Sequence, residues 1–259
     1  MIEVSGVFHH YGLRPILKDV SFKVDTGQTL AVIGANGSGK TTLLSLLSGM
    51  TSPAEGTVSI GGLVRRSTPE AELAIRSRTV FLPVDCWFPS SCTGRQFLLG
   101  VGELYGLPTR RLFAHVDRLL NLFQLSKLSD AQVSGYSTGQ KKKLGLCSAL
   151  LTDADVLLLD EPFSGGLDPA GITAMKQILK HLTERSDRTV IMTTPVPELV
   201  EEVADEVLIL SDGSIVEHAS VADLKSERNA ETLDEALRSL IFPETQADLQ
   251  AYFEQEAAA

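Results

Sequence analysis

Short apolar runs alternate with longer stretches of helical spacing along this chain, which predicts an α/β architecture. Thr29–Ile33, Val156–Leu159 and Thr189–Thr193 are runs of the length and composition of buried strands, and Thr79–Leu82 is a fourth that ends at Pro83. Ile2–Phe8 and Leu17–Val24 predict antiparallel strands around a loop at His9–Pro15. Thr57–Ile60 predicts a short strand bounded by Gly56 and Gly61-Gly62. Val207–Leu210 and Ser214–Glu217 flank Asp212-Gly213, a strong hairpin signal. Helical spacing governs Thr42–Leu47, Ala170–Leu182 and the tail from Glu231, which breaks at Pro243. It also governs two apolar stripes, one of Phe97, Leu98, Val101, Leu104 and Tyr105, the other of Leu112, Val116, Leu119, Leu120 and Phe123. With the apolar stretch Leu144–Leu151, these predict a helical insertion over about 88–152, interrupted at 126–138, between strands of the core. No internal repeat or low-complexity linker is present.

A chain of 259 residues fits one large α/β domain, or a core with a smaller subdomain. The formal net charge of −10 argues against general affinity for nucleic acid or anionic lipid, although Lys141, Lys142 and Lys143 form a local basic run. The 3 cysteines, Cys86, Cys92 and Cys147, have neither metal-ligand nor redox spacing, which suggests reduced thiols in a cytosolic protein. The N-terminus lacks the charged and apolar regions of a signal peptide. No apolar run approaches the roughly 20 residues that span a bilayer. Any membrane role is therefore expected to come through a partner.

The chemistry concentrates after the strand Thr29–Ile33. Gly34-Ala35-Asn36-Gly37-Ser38-Gly39-Lys40-Thr41 fits G-x-x-x-x-G-K-[ST] without mismatch, between a predicted strand and a predicted helix. Glycines let the backbone turn its N–H groups toward phosphate oxygens, and the helix N-terminus adds partial positive charge. Lys40 is expected to reach the β- and γ-phosphates, and the Thr41 hydroxyl to bind Mg²⁺. A second element follows Val156–Leu159. The apolar strand ends in Asp160-Glu161, which places Asp160 at a carboxyl end, where open α/β sheets bind ligands. Asp160 suits Mg²⁺, through water, and Glu161 suits the base that polarises an attacking water. Between the two lies Tyr136-Ser137-Thr138-Gly139-Gln140, with Ser137 a candidate helix N-cap.

Together these motifs resemble the ATP-binding subunit of an ABC transporter, over roughly residues 2–240. Ser137, Gly139 and Gln140 match that family's Leu-Ser-Gly-Gly-Gln signature. Ser164-Gly-Gly-Leu-Asp168 resembles its D-loop, and Tyr11 matches the aromatic that stacks on adenine. The resemblance implies a P-loop NTPase fold: a mixed sheet flanked by helices, an antiparallel β subdomain and an inserted helical subdomain. It implies an ATPase domain over 1–230 and a C-terminal helical extension over 231–259. ATP and Mg²⁺ are the implied cofactors, with Gly34–Gly39, Lys40, Thr41 and Thr42 on the phosphates. It further implies a composite site, in which Ser137, Gly139 and Gln140 of a second ATP-binding subunit close on the nucleotide and Asp168 lies at the seam. The implied partner is an integral membrane permease, docked on the helical insertion near Trp87 and Phe88. The chain would then sit on the cytoplasmic face of the cell membrane. The short chain, Thr93-Gly-Arg-Gln96, Tyr105-Gly-Leu-Pro108 and the threonine in the signature are similar to single-domain bacterial subunits that serve exporters. A soluble ATPase of the same superfamily, or a non-hydrolytic nucleotide sensor or assembly factor, stands as the alternative.

Two positions depart from the family pattern. Position 195 is Pro where a switch histidine is expected after Thr193-Thr194, and none of His9, His10, His115, His181 and His218 falls where it would substitute. Val84 follows Leu82-Pro83 where a glutamine is expected, with Asp85 beside it. Losing one positioned polar contact to a transition state costs on the order of 10²–10³ in rate. ATP binding is therefore expected intact and hydrolysis slow.

Overall fold

The structure is a computed structural model that describes residues 1–184 and 188–241. The chain opens with β1 (Ile2–Tyr11), β2 (Arg14–Val24), β3 (Thr29–Ile33) and α1 (Lys40–Ser48). Beyond α1 lie β4 (Glu55–Ile60), β5 (Leu63–Val64), α2 (Pro69–Arg76) and β6 (Thr79–Leu82). The helical segment comprises α3 (Gly94–Leu104), α4 (Thr109–Leu122) and α5 (Thr138–Leu151), with 3-10 turns at Ser126–Leu128 and Val133–Gly135. Next come β7 (Val156–Leu159), α6 (Pro169–Glu184), β8 (Thr189–Thr193) and α7 (Pro197–Val203). The described chain closes with β9 (Glu206–Ser211), β10 (Ser214–Ser220), α8 (Val221–Glu227) and α9 (Leu233–Ile241). The break expected at Pro243, and the rest of the C-terminal extension, lie outside the described residues.

Two sheets form. One is antiparallel, in the order β2-β1-β4-β5. The other is mixed, in the order β10-β9-β3-β8-β7-β6, with β9, β3, β8, β7 and β6 parallel and β10 antiparallel at the edge. The apolar runs of β3, β7 and β8 are continuous because those strands are covered on both faces. Successive residues serve different cores. Ala31, Ile33, Leu157 and Leu159 face the core shared with the helical segment, whereas Leu30, Val32, Val156 and Leu158 face α1 and the antiparallel sheet. Leu43, Leu44, Leu46 and Leu47 of α1 are buried in that second core, each side chain contributing about 1.5–3 kcal/mol. The helix that follows the glycine-rich loop is thereby fixed between the two sheets.

Some boundaries differ from the sequence reading. The loop expected at His9–Pro15 is instead a tight turn, because pairing continues through His9↔Leu17, His10↔Pro15 and Tyr11↔Arg14. Pro15 is tolerated there because β2 is an edge strand. β4 runs through Gly56, whose φ is 83°. Leu98 of α3 is buried, but Leu104 is 87% exposed, so the helical spacing there marks two stripes, one inward and one outward. In α9, Leu233, Ala236 and Leu237 join the core shared with the helical segment. No described helix is long and apolar enough to cross a membrane.

Candidate functional site

The parallel strands end on one edge of the mixed sheet, and that edge gathers the motifs. β3 and β7 are each paired with β8. The loop after β3 and the carboxylates after β7 are therefore one strand apart, with the end of β8 between them. Asn36, Gly37, Gly39, Lys40, Thr41, Thr42 and Glu161 line one cavity of about 250 Å³, together with Ile16. Residues separated by more than a hundred positions thus meet at one site.

The loop is shaped for an anion. Gly39 precedes α1 with φ at 109°, and a Cβ there would stand 2.8 Å from Leu17 Cδ2, so this position requires glycine. No side chain caps the N-terminus of α1 and its first turn carries no acid, which leaves its N–H groups directed outward. Lys40 is buried, and its ammonium donates to the carbonyls of Gly34 at 2.8 Å and Ala35 at 2.9 Å. Burial lowers its pKa, opposed by the nearby Glu161 and Asp160 carboxylates. Ser38 Oγ is buried without a partner among the described residues.

At the end of β7, Asp160 is 1% exposed. Its Oδ1 accepts from Thr193 Oγ at 2.6 Å, while Oδ2 is buried with no partner among the described residues. Thr193 Oγ also accepts from the Glu161 N–H at 2.9 Å. Thr193 therefore sets both carboxylate residues, a role the sequence reading missed. Its signal was a hydroxyl closing β8 directly after the apolar run 190–192. One free, buried carboxylate oxygen at the end of β7 suits a hard cation that keeps part of its water shell and takes its other ligands from phosphate. Mg²⁺ bound there would neutralise phosphate charge. Glu161 is half-buried in the same cavity and suited to orient water.

Other expected residues are elsewhere. Tyr11 is 58% exposed at the end of β1, its ring edge-on to His9 at 4.8 Å. Ser137 caps α5 in a reciprocal box. Its Oγ accepts from the Gln140 N–H at 3.3 Å, and Gln140 Oε1 accepts from the Ser137 N–H at 2.8 Å. Gly139 lies against the loop after β7, since a Cβ there would stand 2.5 Å from the Gly166 carbonyl. Asp168 accepts from the Gly171 N–H at 2.8 Å and pairs with Lys143 at 2.7 Å. The bond from Lys143, with that from Gly171, holds the Asp168 carboxyl below its usual range. Tyr11, Ser137, Gly139, Gln140 and Asp168 are not among the residues lining the phosphate-loop cavity.

The basic run does not form a surface patch, because Lys142 and Lys143 are buried. Pro195 is exposed in the link to α7, and no histidine lines the phosphate-loop cavity. Val84 and Asp85 line a different, smaller cavity of about 160 Å³ with Cys86, Thr138, Lys141, Lys142 and Gly165. Trp87 is 81% exposed, whereas Phe88 packs edge-on against Phe97 at 5.0 Å. Beside them Pro89, Cys92, Phe97, Val101 and Leu104 line an open groove of about 590 Å³.

Residues 17–164 match the family described as ABC transporter. The chain is 32% identical over 233 residues to an uncharacterized ABC transporter ATP-binding protein, YxlF, of Bacillus subtilis (strain 168), covering 88% of this chain and 74% of that protein. It is 33% identical over 234 residues to the Nod factor export ATP-binding protein I of Burkholderia lata, covering 90% and 75%. Its structure is similar to a solved ATP-binding subunit of an ABC transporter, with a TM-score of 0.85 and 26% identity over 93% of this chain and 99% of that one.

Proposed function

The chain belongs to the ABC transporter family of ATP-binding ATPases, and from that premise we propose that it binds Mg-ATP at Gly34–Thr42, closes on it with a second subunit and powers a membrane permease. The single observation that carries this reading is the shared cavity of Lys40, Thr41 and Glu161, from which the Ser137 helix is absent. One chain thus supplies a phosphate cradle and a water-orienting carboxylate, and offers Ser137, Gly139 and the N-terminus of α5 to a second nucleotide. Asp160 and Thr41 would hold Mg²⁺, and Tyr11 would carry the base. Asp168 would lie at the seam between subunits.

The groove at Phe97 and Leu104 would receive an apolar segment of the permease, placing the chain on the cytoplasmic face of the membrane. Resemblance to the Nod factor export protein supports export as the direction. Hydrolysis is slow in this account, because Pro195 and Val84 supply no polar contact where the family has a histidine and a glutamine. Pro195 also favours a second reading, a nucleotide sensor that closes on ATP without hydrolysing it.

Two measurements test the proposal. Calorimetric titration with Mg-ATP should show binding that Lys40→Ala reduces at least about tenfold. A tagged chain recovered from membranes of its own cells should carry a polytopic membrane protein. Unchanged affinity in Lys40→Ala would sink the binding assignment, and recovery without any membrane protein would sink the transport assignment.

A further inference from the structure

Lys142 is poorly explained by packing alone. It lies on the second turn of α5 and is 4% exposed. Its stem passes beneath Gly165, with Cδ 3.6 Å from where a Cβ at that glycine would stand. Its ammonium donates to the main-chain carbonyl of Asp160 at 3.4 Å, the one hydrogen bond found for it among the described residues. Burying an ammonium carries a desolvation penalty that a leucine or methionine of similar volume avoids. The cation therefore calls for a role beyond filling space.

The carbonyl it grips belongs to the peptide unit joining Asp160 to Glu161. The N–H of that same unit donates to Thr193 Oγ at 2.9 Å. Both polar ends of one peptide are thus held, by Lys142 from α5 and by Thr193 from β8. The residue on the far side of that peptide is strained: Glu161 has φ at 46°, a left-handed conformation that non-glycine residues rarely adopt. Its own carbonyl accepts from Ser164 N at 3.1 Å and Ser164 Oγ at 2.9 Å. Release of one end would free the peptide to rotate and would move the Glu161 carboxylate out of the phosphate-loop cavity.

We propose that Lys142 is a positioning residue for ATP hydrolysis, which clamps the Asp160–Glu161 peptide from the helix that presents Ser137. The inference rests on the hydrolytic reading above and deepens it. The same clamp links two half-sites: movement of α5 against a second subunit's nucleotide would be transmitted to the carboxylate serving this subunit's own. Gly139 against Gly166 and Lys143 on Asp168 are further contacts between α5 and the loop after β7.

The test compares full-length wild type, Lys142→Met and Lys142→Arg, in Mg-ATP binding and in single-turnover hydrolysis. Lys142→Met keeps the apolar stem. It should bind Mg-ATP as wild type does, stay folded with a melting temperature close to that of wild type because the lost hydrogen bond and the avoided ammonium burial offset each other, and hydrolyse at least about tenfold more slowly. Lys142→Arg keeps a donor and should recover most of the rate. Wild-type hydrolysis in Lys142→Met would overturn the proposal, as would equal losses of affinity and rate or an arginine variant no faster than the methionine one. If wild type binds Mg-ATP and hydrolyses none, the hydrolytic reading falls and the clamp with it. Equal rates in wild type and Lys142→Met sink the clamp alone.

Discussion

Thr193 shows how much of this site rests on one hydroxyl. It donates to Asp160 at 2.6 Å and accepts from the Glu161 N–H at 2.9 Å. Thr193→Val keeps the shape of β8 and leaves a buried carboxylate oxygen and a main-chain N–H unpaired. Each costs about 1–3 kcal/mol, so denaturant unfolding should show a loss of at least about 2 kcal/mol. An unchanged unfolding midpoint would contradict this assignment. The glycine-rich loop was legible in the sequence because its chemistry is contiguous: Gly34 to Thr41 needs only its own backbone and the strand and helix around it. Thr193 and Lys142 were not legible, because each acts on a peptide made by residues far away in the chain. The local basic run at Lys141, Lys142 and Lys143 carried no sign of its burial for the same reason. Sequence gives the charge of Lys142 and Lys143, but only the packing of α5 shows that both are buried.

Among the elements, α5 and α9 carry the clearest expectations. The first turn of α5 lies so close to the loop after β7 that a Cβ at Gly139 would stand 2.5 Å from a backbone carbonyl. Gly139→Ala must therefore push α5 away from Gly166. It should abolish ATP-dependent association of subunits in sedimentation while leaving Mg-ATP affinity of the single chain within about threefold, because the phosphate loop is built from other elements. α9 is docked by Glu201 of α7, which accepts from the Leu233 N–H at 2.9 Å and pairs with Lys225 of α8. These two contacts, the backbone bond first, hold the Glu201 carboxyl below its usual range. A carboxyl whose folded pKa lies below its unfolded one stabilises the fold above the unfolded value and ceases to as pH falls through the folded value. Glu201→Gln should thus cost about 0.5 kcal/mol at neutral pH, because glutamine can still accept from the Leu233 N–H and only the solvent-screened pair with Lys225 is lost. The difference from wild type should vanish below the ordinary glutamate range, in unfolding measured from neutral to acid pH. A difference that grew in acid would contradict the assignment.

At the scale of the whole molecule, the sequence reading anticipated the sheet and its covering helices, because short continuous apolar runs bounded by turn signals suit strands covered on both faces. Val156–Leu159 and Thr189–Thr193 have the bounds expected of them. The turn after Tyr11 was misread because edge-strand pairing through His9, His10 and Pro15 leaves no apolar signature. What no local pattern could supply is the strand order. Only with β8 between β3 and β7 do Lys40, Thr41 and Glu161 share a cavity while Ser137 belongs to another surface. In the proposed account one chain provides the phosphate cradle for binding, and turnover is slow because Pro195 and Val84 offer no polar side chain where the family resemblance expects a histidine and a glutamine. The most direct test is single-turnover hydrolysis of Mg-ATP by wild type and Pro195→His, with binding measured in parallel. Both should bind alike, wild type should turn over well below about 1 per second, at the bottom of the ordinary enzyme range, and the histidine should accelerate it by at least about tenfold. A wild type that already turns over at several per second, with no gain from the histidine, would contradict the account.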